Sequence, residues 1–210
     1  MKNLRPVVGV DLGGTKIATG IVDLDGNVID KVIRPTEVPK GERRVIDNIF
    51  QTIYESLSIA GLSIKEIGGI GIGSPGPLSV KEGVVISAPT LGWFDVPIRD
   101  LVATEFGVTT VLDNDTNVAG LAELWYGAGK NSTNMIYISV STGIGSGLLL
   151  NRKLYRGTND YAGEIGCITV LEGGPLCSCG RKGCLEALAS GTAMRSEEHT
   201  SELQSHHDLV

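Results

Sequence analysis

Short runs of β-branched and aliphatic residues at positions 7–10, 17–22 and 28–33 are separated by a glycine pair and an Asp-Gly step. Runs of that length, bounded by turn formers, predict three successive strands. The turn over residues 11–16 joins the first two, and Asp25-Gly26 closes the last two into a hairpin. From Arg43 to Leu57 the period changes, and apolar side chains at 46, 49, 50, 53 and 57 predict an amphipathic helix. A strand at 67–72 then runs into the glycine- and proline-rich GSPGPL. A helix near 98–106, a strand at 109–112 and a helix over 116–125 follow. Past the break at 127–129, positions 136–140, 147–150 and 153–155 predict three more strands.

Each half therefore opens with three strands, and each first turn is glycine-rich: DLGGTK, then STGIGSG. The pattern is a weak internal repeat of two α/β lobes. One lobe is expected over residues 1–115. Residues 116–194 begin a second, which is incomplete.

Composition narrows the class. A chain of 210 residues with 41% hydrophobic and 20% charged residues is ordinary for a core-forming soluble protein. The formal charge of −6 speaks against a protein that coats nucleic acid, whose footprint would be basic. No apolar run approaches a membrane span, and no basic-then-apolar segment opens the chain as a secretory signal would. A cytoplasmic protein without nucleic-acid or membrane partners is expected. Glycine is the outlier, 29 of 210 or about twice its usual share, gathered at a few tight places as in turns that approach phosphate or sugar.

The last sixteen residues, RSEEHTSELQSHHDLV, break from this pattern, with no glycine, no apolar period and all three histidines. They resemble the in-frame translation of a short-read sequencing adapter. Residues 195–210 are therefore expected to be a non-native, disordered tail, with the gene product cut short near Met194. On that reading no histidine serves as base or ligand.

Four motifs carry chemistry. Asp11-Leu12-Gly13-Gly14-Thr15-Lys16 follows a strand directly. Its glycines can form an anion nest, Thr15 can donate a hydroxyl, and Asp11 can orient a magnesium shell; a plain hairpin turn is the alternative. The stretch from Ser141 to Gly147 occupies the matching place in the second half, and two such turns would hold a polyphosphate. Leu112-Asp113-Asn114-Asp115-Thr116-Asn117 sits where a strand meets a helix. Asp115 or Thr116 is either the helix N-cap or, for Asp115, a carboxylate that takes a proton from an attacking hydroxyl. Cys167, Cys177, Cys179 and Cys184 are the only cysteines and fall within eighteen residues. In a chain without a secretion signal, four clustered thiols suit tetrahedral structural zinc more than disulfides.

Taken together, DLGGTKIATGIVD, GIGIGSPGPL, LDNDTNVAGLAELWYGAG, STGIGSG, AGEIG and CSCGRKGCLEALASG resemble the ROK family of sugar kinases and sugar-responsive repressors, most nearly its bacterial glucokinases. The resemblance runs through almost all of residues 5–194. It implies an actin-like ATPase fold of two RNase-H-like lobes, and phosphorylation of a hexose, glucose foremost, at its 6-hydroxyl with ATP and Mg2+. It further implies Asp115 as general base, and Asn114, Glu164 and Glu186 as partners of sugar hydroxyls. Asp11, Gly13, Gly14, Thr15 and Lys16, with Thr142, Gly143 and Gly145, would serve the nucleotide. Structural Zn2+ would sit on the four cysteines. A homo-oligomeric parent in sugar metabolism is expected, the fragment itself being inactive.

Three departures stand out. Cys167 replaces a histidine that in the family ligates zinc and touches the sugar, and Ser141 and Ser146 stand where glycines are common. The family's C-terminal part is missing. GWFDVP, residues 92–97, resembles the glucokinase stretch. With DLGGTK beginning at residue 11, no room is expected for the DNA-binding domain of a family repressor. That alternative therefore survives as a regulator lacking this domain, beside a non-catalytic fragment.

Overall fold

The computed structural model describes residues 5–196. The chain divides into two compact units, one through Val118 and one from Ala119 onward. The division falls inside a helix, three residues past the expected boundary.

In the first unit, strands β1 (Val7–Leu12), β2 (Lys16–Val22) and β3 (Val28–Pro35) form the expected antiparallel meander. Helix α1 (Glu42–Ala60) then crosses the sheet and buries Val45, Ile46, Ile49, Ile53 and Leu57, the stripe its 3.6-residue period presents. It ends at Gly61, whose left-handed backbone (φ 65°) lets its amide reach the carbonyls of Leu57 and Ser58. Strand β4 (Ile70–Ser74) pairs parallel with β1, and β8 (Thr110–Asn114) parallel with β4, giving the order β3-β2-β1-β4-β8. The core is continuous: Val8, Val10 and Leu12 of β1 and Ile17 and Ile21 of β2 meet the α1 stripe, Ile72 and Leu112.

Sequence reading missed a second sheet in this unit, β5 (Leu78–Ser79), β6 (Val84–Ala88) and β7 (Trp93–Val96). Its strands are two to five residues long and interrupted by Gly83, Pro89 and Gly92, so no run is long enough to show a period. Helix α2 (Ile98–Phe106) follows and buries Ile98, Val102 and Phe106.

Helix α3 (Asp115–Trp125) contains the division between the units. In the second unit, β9 (Met135–Val140), β10 (Ile144–Leu150) and β11 (Lys153–Tyr155) repeat the meander in the order β11-β10-β9. Gly120 lets α3 close on this sheet, since a Cβ there would stand 3.0 Å from Leu149 Cδ1 and 3.2 Å from Tyr137 Cβ. A loop then carries all four cysteines to the short helix α4 (Leu185–Ala189), and residues 191–196 are again helical. Arg195 and Ser196, expected as the start of a foreign tail, belong to that turn, bonded to Gly191 O and Ala193 O. The rest of the expected tail lies outside the described residues. No helix among the described residues is long and apolar enough to cross a membrane.

Candidate active site and cysteine centre

In the first unit, β1, β4 and β8 run parallel, so their C-terminal ends share one edge of the sheet, where open α/β sheets place their ligands. Asp11 lies opposite Gly73, and Gly73 opposite Asp113. Gly73, in the middle of this edge, faces the start of α3: a Cβ there would lie in van der Waals contact, 3.6 Å from Asp115 Cα and from Val118 Cγ2.

Asp115 is the first residue of α3, and its Oδ1 accepts the Thr116 N–H at 2.8 Å. Its carboxyl is raised above the ordinary carboxylate range, chiefly because burial strips water from the anion; the Asp11 carboxylate pushes the same way. The helix cap is a correction to the expected one. Asn114 takes that role, its Oδ1 accepting the amide of Thr116 at 3.0 Å, that of Asn117 at 3.4 Å and the Thr116 hydroxyl. With the carbonyl side of its amide so committed, Asn114 presents Nδ2 as a donor beside Gly76. Asp113 and Asn117, not singled out from sequence, hold this corner: Asp113 Oδ1 accepts Asn117 Nδ2 at 2.9 Å and the Asn114 amide at 2.8 Å. Their i,i+4 spacing in DNDTN was the available signal.

The first glycine turn differs in detail from an anion nest. None of Gly13, Gly14, Gly143 or Gly145 has positive φ, and what Gly13, Gly14 and Gly143 provide is space rather than left-handed backbone. Gly14 lies where a Cβ would meet Thr90 O at 2.9 Å. Gly13 spends its amide on Lys16 O at 3.0 Å, and its carbonyl accepts the Thr36 hydroxyl at 2.6 Å. The amides of Gly14 and Thr15 have no acceptor among the described residues, and Lys16 is exposed.

In the second unit, the loop leading to the cysteines is pressed onto β10. Gly163, at φ 94°, leaves no room for a Cβ, which would stand 2.4 Å from Ser146 O; one on Gly166 would stand 2.2 Å from Ile144 O. Ser146 donates its buried hydroxyl to Gly163 O at 2.6 Å and so helps to fasten the loop. This contact fixes Glu164 and Cys167, three residues apart, with Glu164 exposed and its charge felt at the Cys167 thiol.

The sulfurs of Cys167, Cys177 and Cys179 all lie within 4.8 Å of one another. Cys184 joins them through Cys179, sulfur to sulfur at 3.6 Å, close to the edge of about 3.8 Å that a zinc–sulfur bond of about 2.3 Å gives a tetrahedron. The expected four-cornered cage is thus three sulfurs with the fourth beside them, because Cys184 Sγ also leans 3.5 Å from Cys167 O. The donor set fits a thiophilic ion. Without one, Cys179 carries the negative charge: the Arg181 amide and then its guanidinium hold the thiol down at about 6. Burial and neighbouring Cys179 push Cys167 up to about 12 and Cys184 up to about 11. Glu186, in the first turn of α4, accepts the Ile144 amide on Oε2 and the Ser178 hydroxyl on Oε1, both at 3.0 Å. Neither partner was foreseen from the sequence.

A sequence profile described as the ROK family matches residues 7–208. The glucokinase of Halalkalibacterium halodurans is 40% identical over 191 residues, covering 90% of this chain and 58% of that protein. The xylose repressor of Caldicellulosiruptor bescii is 35% identical over 195 residues, covering 93% of this chain and 49% of the repressor. Among solved structures, a ROK family glucokinase from Streptomyces griseus in complex with glucose and AMPPNP matches with a TM-score of 0.82 at 34% identity, over 94% of this chain and 62% of that one. The chain spans about half to three fifths of the length of these relatives.

Proposed function

The chain belongs to the ROK family, whose sugar kinases share its actin-like ATPase fold, and on that premise we propose that the protein transfers the γ-phosphoryl group of ATP to the 6-hydroxyl of a hexose, glucose first. The observation that carries this reading is Asp115, a half-buried carboxylate at the meeting of β8 and α3 with its proton affinity raised by burial. A base works best when its pKa approaches the working pH, and this environment moves Asp115 that way. It takes the proton of the hydroxyl as the oxygen attacks phosphorus. Asn114 Nδ2 donates to a neighbouring sugar oxygen, and Glu164 and Glu186 accept from hydroxyls.

Magnesium-bound ATP, when present, supplies the phosphoryl group and neutralises charge at its oxygens. Asp11 would orient the magnesium shell. The free amides of Gly14 and Thr15, the Thr15 hydroxyl and the Lys16 ammonium would face phosphate, with Gly13 shaping the turn. Thr142, Gly143 and Gly145 would do the same in the second unit. Cys167, Cys177, Cys179 and Cys184 would hold a structural zinc ion that stiffens the loop carrying Glu164 and Glu186. Cysteine at position 167 keeps a zinc ligand and forgoes an imidazole hydrogen bond to the sugar. Cys167→His should therefore lower the KM for hexose at unchanged zinc content.

The similarity to a xylose repressor supports a second reading, a sugar-sensing regulator that keeps the hydroxyl partners and does not turn over. The deciding experiment is an ADP-release assay on protein of the relatives' full length with glucose, fructose and N-acetylmannosamine. Glucose-dependent ADP release is expected. Sugar binding with no ADP release from any of the three would favour the regulator and overturn the kinase.

A further inference from the structure

The STG turn between β9 and β10 is gripped by the segment that follows the cysteines. Gly191 donates its amide to Ser141 O at 2.8 Å, and the Thr192 hydroxyl donates to Thr142 O at 2.9 Å. The carbonyls of Ser141 and Thr142 therefore point at residues 191–192, while that of Gly143 accepts the Ser141 amide at 2.9 Å. In a trans peptide the carbonyl and the following N–H point in opposite directions. The amides of Thr142 and Gly143 are accordingly turned away from that segment, and neither has an acceptor among the described residues. The third amide, that of Ile144, is taken by Glu186 Oε2 at 3.0 Å. The carboxylate lies so close that a Cβ on Gly143 would stand 2.5 Å from Oε2. Its other oxygen accepts the hydroxyl of Ser178, the residue between Cys177 and Cys179.

These contacts make one connected path from the cysteine loop through Ser178 and Glu186 to the turn. Thr192 braces the Thr142 carbonyl and Gly191 that of Ser141. We infer that Ser178, Glu186 and Thr192 are positioning residues that hold the STG turn in its phosphate-accepting form, so that metal occupancy of the cysteine loop sets nucleotide affinity. The inference rests on the proposed reading of that turn as a phosphate site. Glu186 keeps unused lone pairs on both oxygens, so this positioning is compatible with a sugar contact. The coupling is directional in the chain: a loosened cysteine loop frees Ser178, Glu186 loses one of its two holds, and the turn's amides lose their common orientation.

The test uses protein of the relatives' full length, zinc-loaded, with AMPPNP and Mg2+ as the probe and glucose binding as the control. Thr192→Val, which removes only the hydroxyl, should weaken AMPPNP binding about fivefold, the worth of one hydrogen bond, with glucose affinity and zinc content unchanged. Zinc chelation of the unaltered protein should weaken AMPPNP binding by at least as much. Ser178→Ala, still holding zinc, should resemble the chelated protein, and hydrogen exchange at the Ile144 amide should speed up in both. AMPPNP binding indifferent to Thr192→Val, Ser178→Ala and chelation would overturn the inference and leave the phosphate reading intact. Zinc-loaded protein that binds glucose and no AMPPNP would overturn the phosphate reading, and this inference with it.

Discussion

Strands β1 and β9 begin their units in the same way, an apolar alternation that ends in a glycine-rich turn and folds back on itself, yet they are buried very differently. Val8, Val10 and Leu12 are 0%, 4% and 0% exposed, whereas Ile136, Ile138 and Val140, at the matching positions before the turn, are 61%, 55% and 57% exposed. The strands themselves do not account for this. β1 lies inside its sheet, with β4 and β8 added beyond it and α1 laid across the meander. β9 is the edge of a three-stranded sheet, and nothing among the described residues pairs beyond it. An apolar strand's burial is thus settled by what the chain adds afterwards. An apolar edge left open invites association with another strand.

The sharpest way to break this comparison is to place a charge at one position of each strand. Val10→Asp puts an unpaired carboxylate into the first unit's core at a cost of several kcal/mol, so urea unfolding of that unit should lose its cooperative transition. Ile138→Asp should change stability by no more than about 0.5 kcal/mol and should raise the concentration at which the chain aggregates. Equal damage from both would show that β9 is covered in solution.

A second, smaller contrast comes from metal removal. The first unit rests on an apolar core, whereas on the proposed reading a zinc ion on the cysteines would hold the loop over residues 167–184. A chelator should therefore expose that loop to protease while the first unit's unfolding midpoint stays in place. Simultaneous loss of both units would contradict the division.

The metal-free loop makes a pH prediction of its own. The Cys179 thiol is held down at about 6, so its charged form is favoured between that value and the ordinary 9, and the advantage is lost as pH falls through about 6. Iodoacetamide should label Cys179 with a midpoint near pH 6, leaving Cys167 and Cys184, which are pushed upward, unlabelled at neutral pH. Asn114→Ala, which removes the α3 cap, should cost about 1 kcal/mol in denaturant unfolding.

How much of this could be read beforehand follows from range in sequence. The meander of each unit, α1, α2 and α3 were legible because their periods are local, and α1 differs from its expected span only at its ends. The sheet of β5 to β7 was not, since its pairings give it order that no single run displays. In the site, the gathering of the cysteines was legible from residue type and spacing, whereas the motif around Asp115 left base and helix cap both open and only the family resemblance chose between them. The bond from Ile144 to Glu186 was not, for it joins residues 42 positions apart, and neither side chain advertises the other. The cap, expected at Asp115 or Thr116, lies one or two residues earlier because Asn, Asp and Thr are adjacent and all competent, so that only backbone geometry chooses among them.

Substituting Asp115 by asparagine tests the central claim most directly, with turnover and stability measured on the same full-length protein. The raised carboxyl stabilises the fold only where it is protonated, and that contribution is lost as pH rises through its folded value. At pH 7 its charge is therefore a burden on the fold, which asparagine relieves. Asp115→Asn should lower kcat for glucose phosphorylation by roughly 10²- to 10⁴-fold while the unfolding midpoint at pH 7 stays level or rises slightly. Near-normal turnover in a folded Asp115→Asn protein would contradict the assignment of the base, and with it the account of this site.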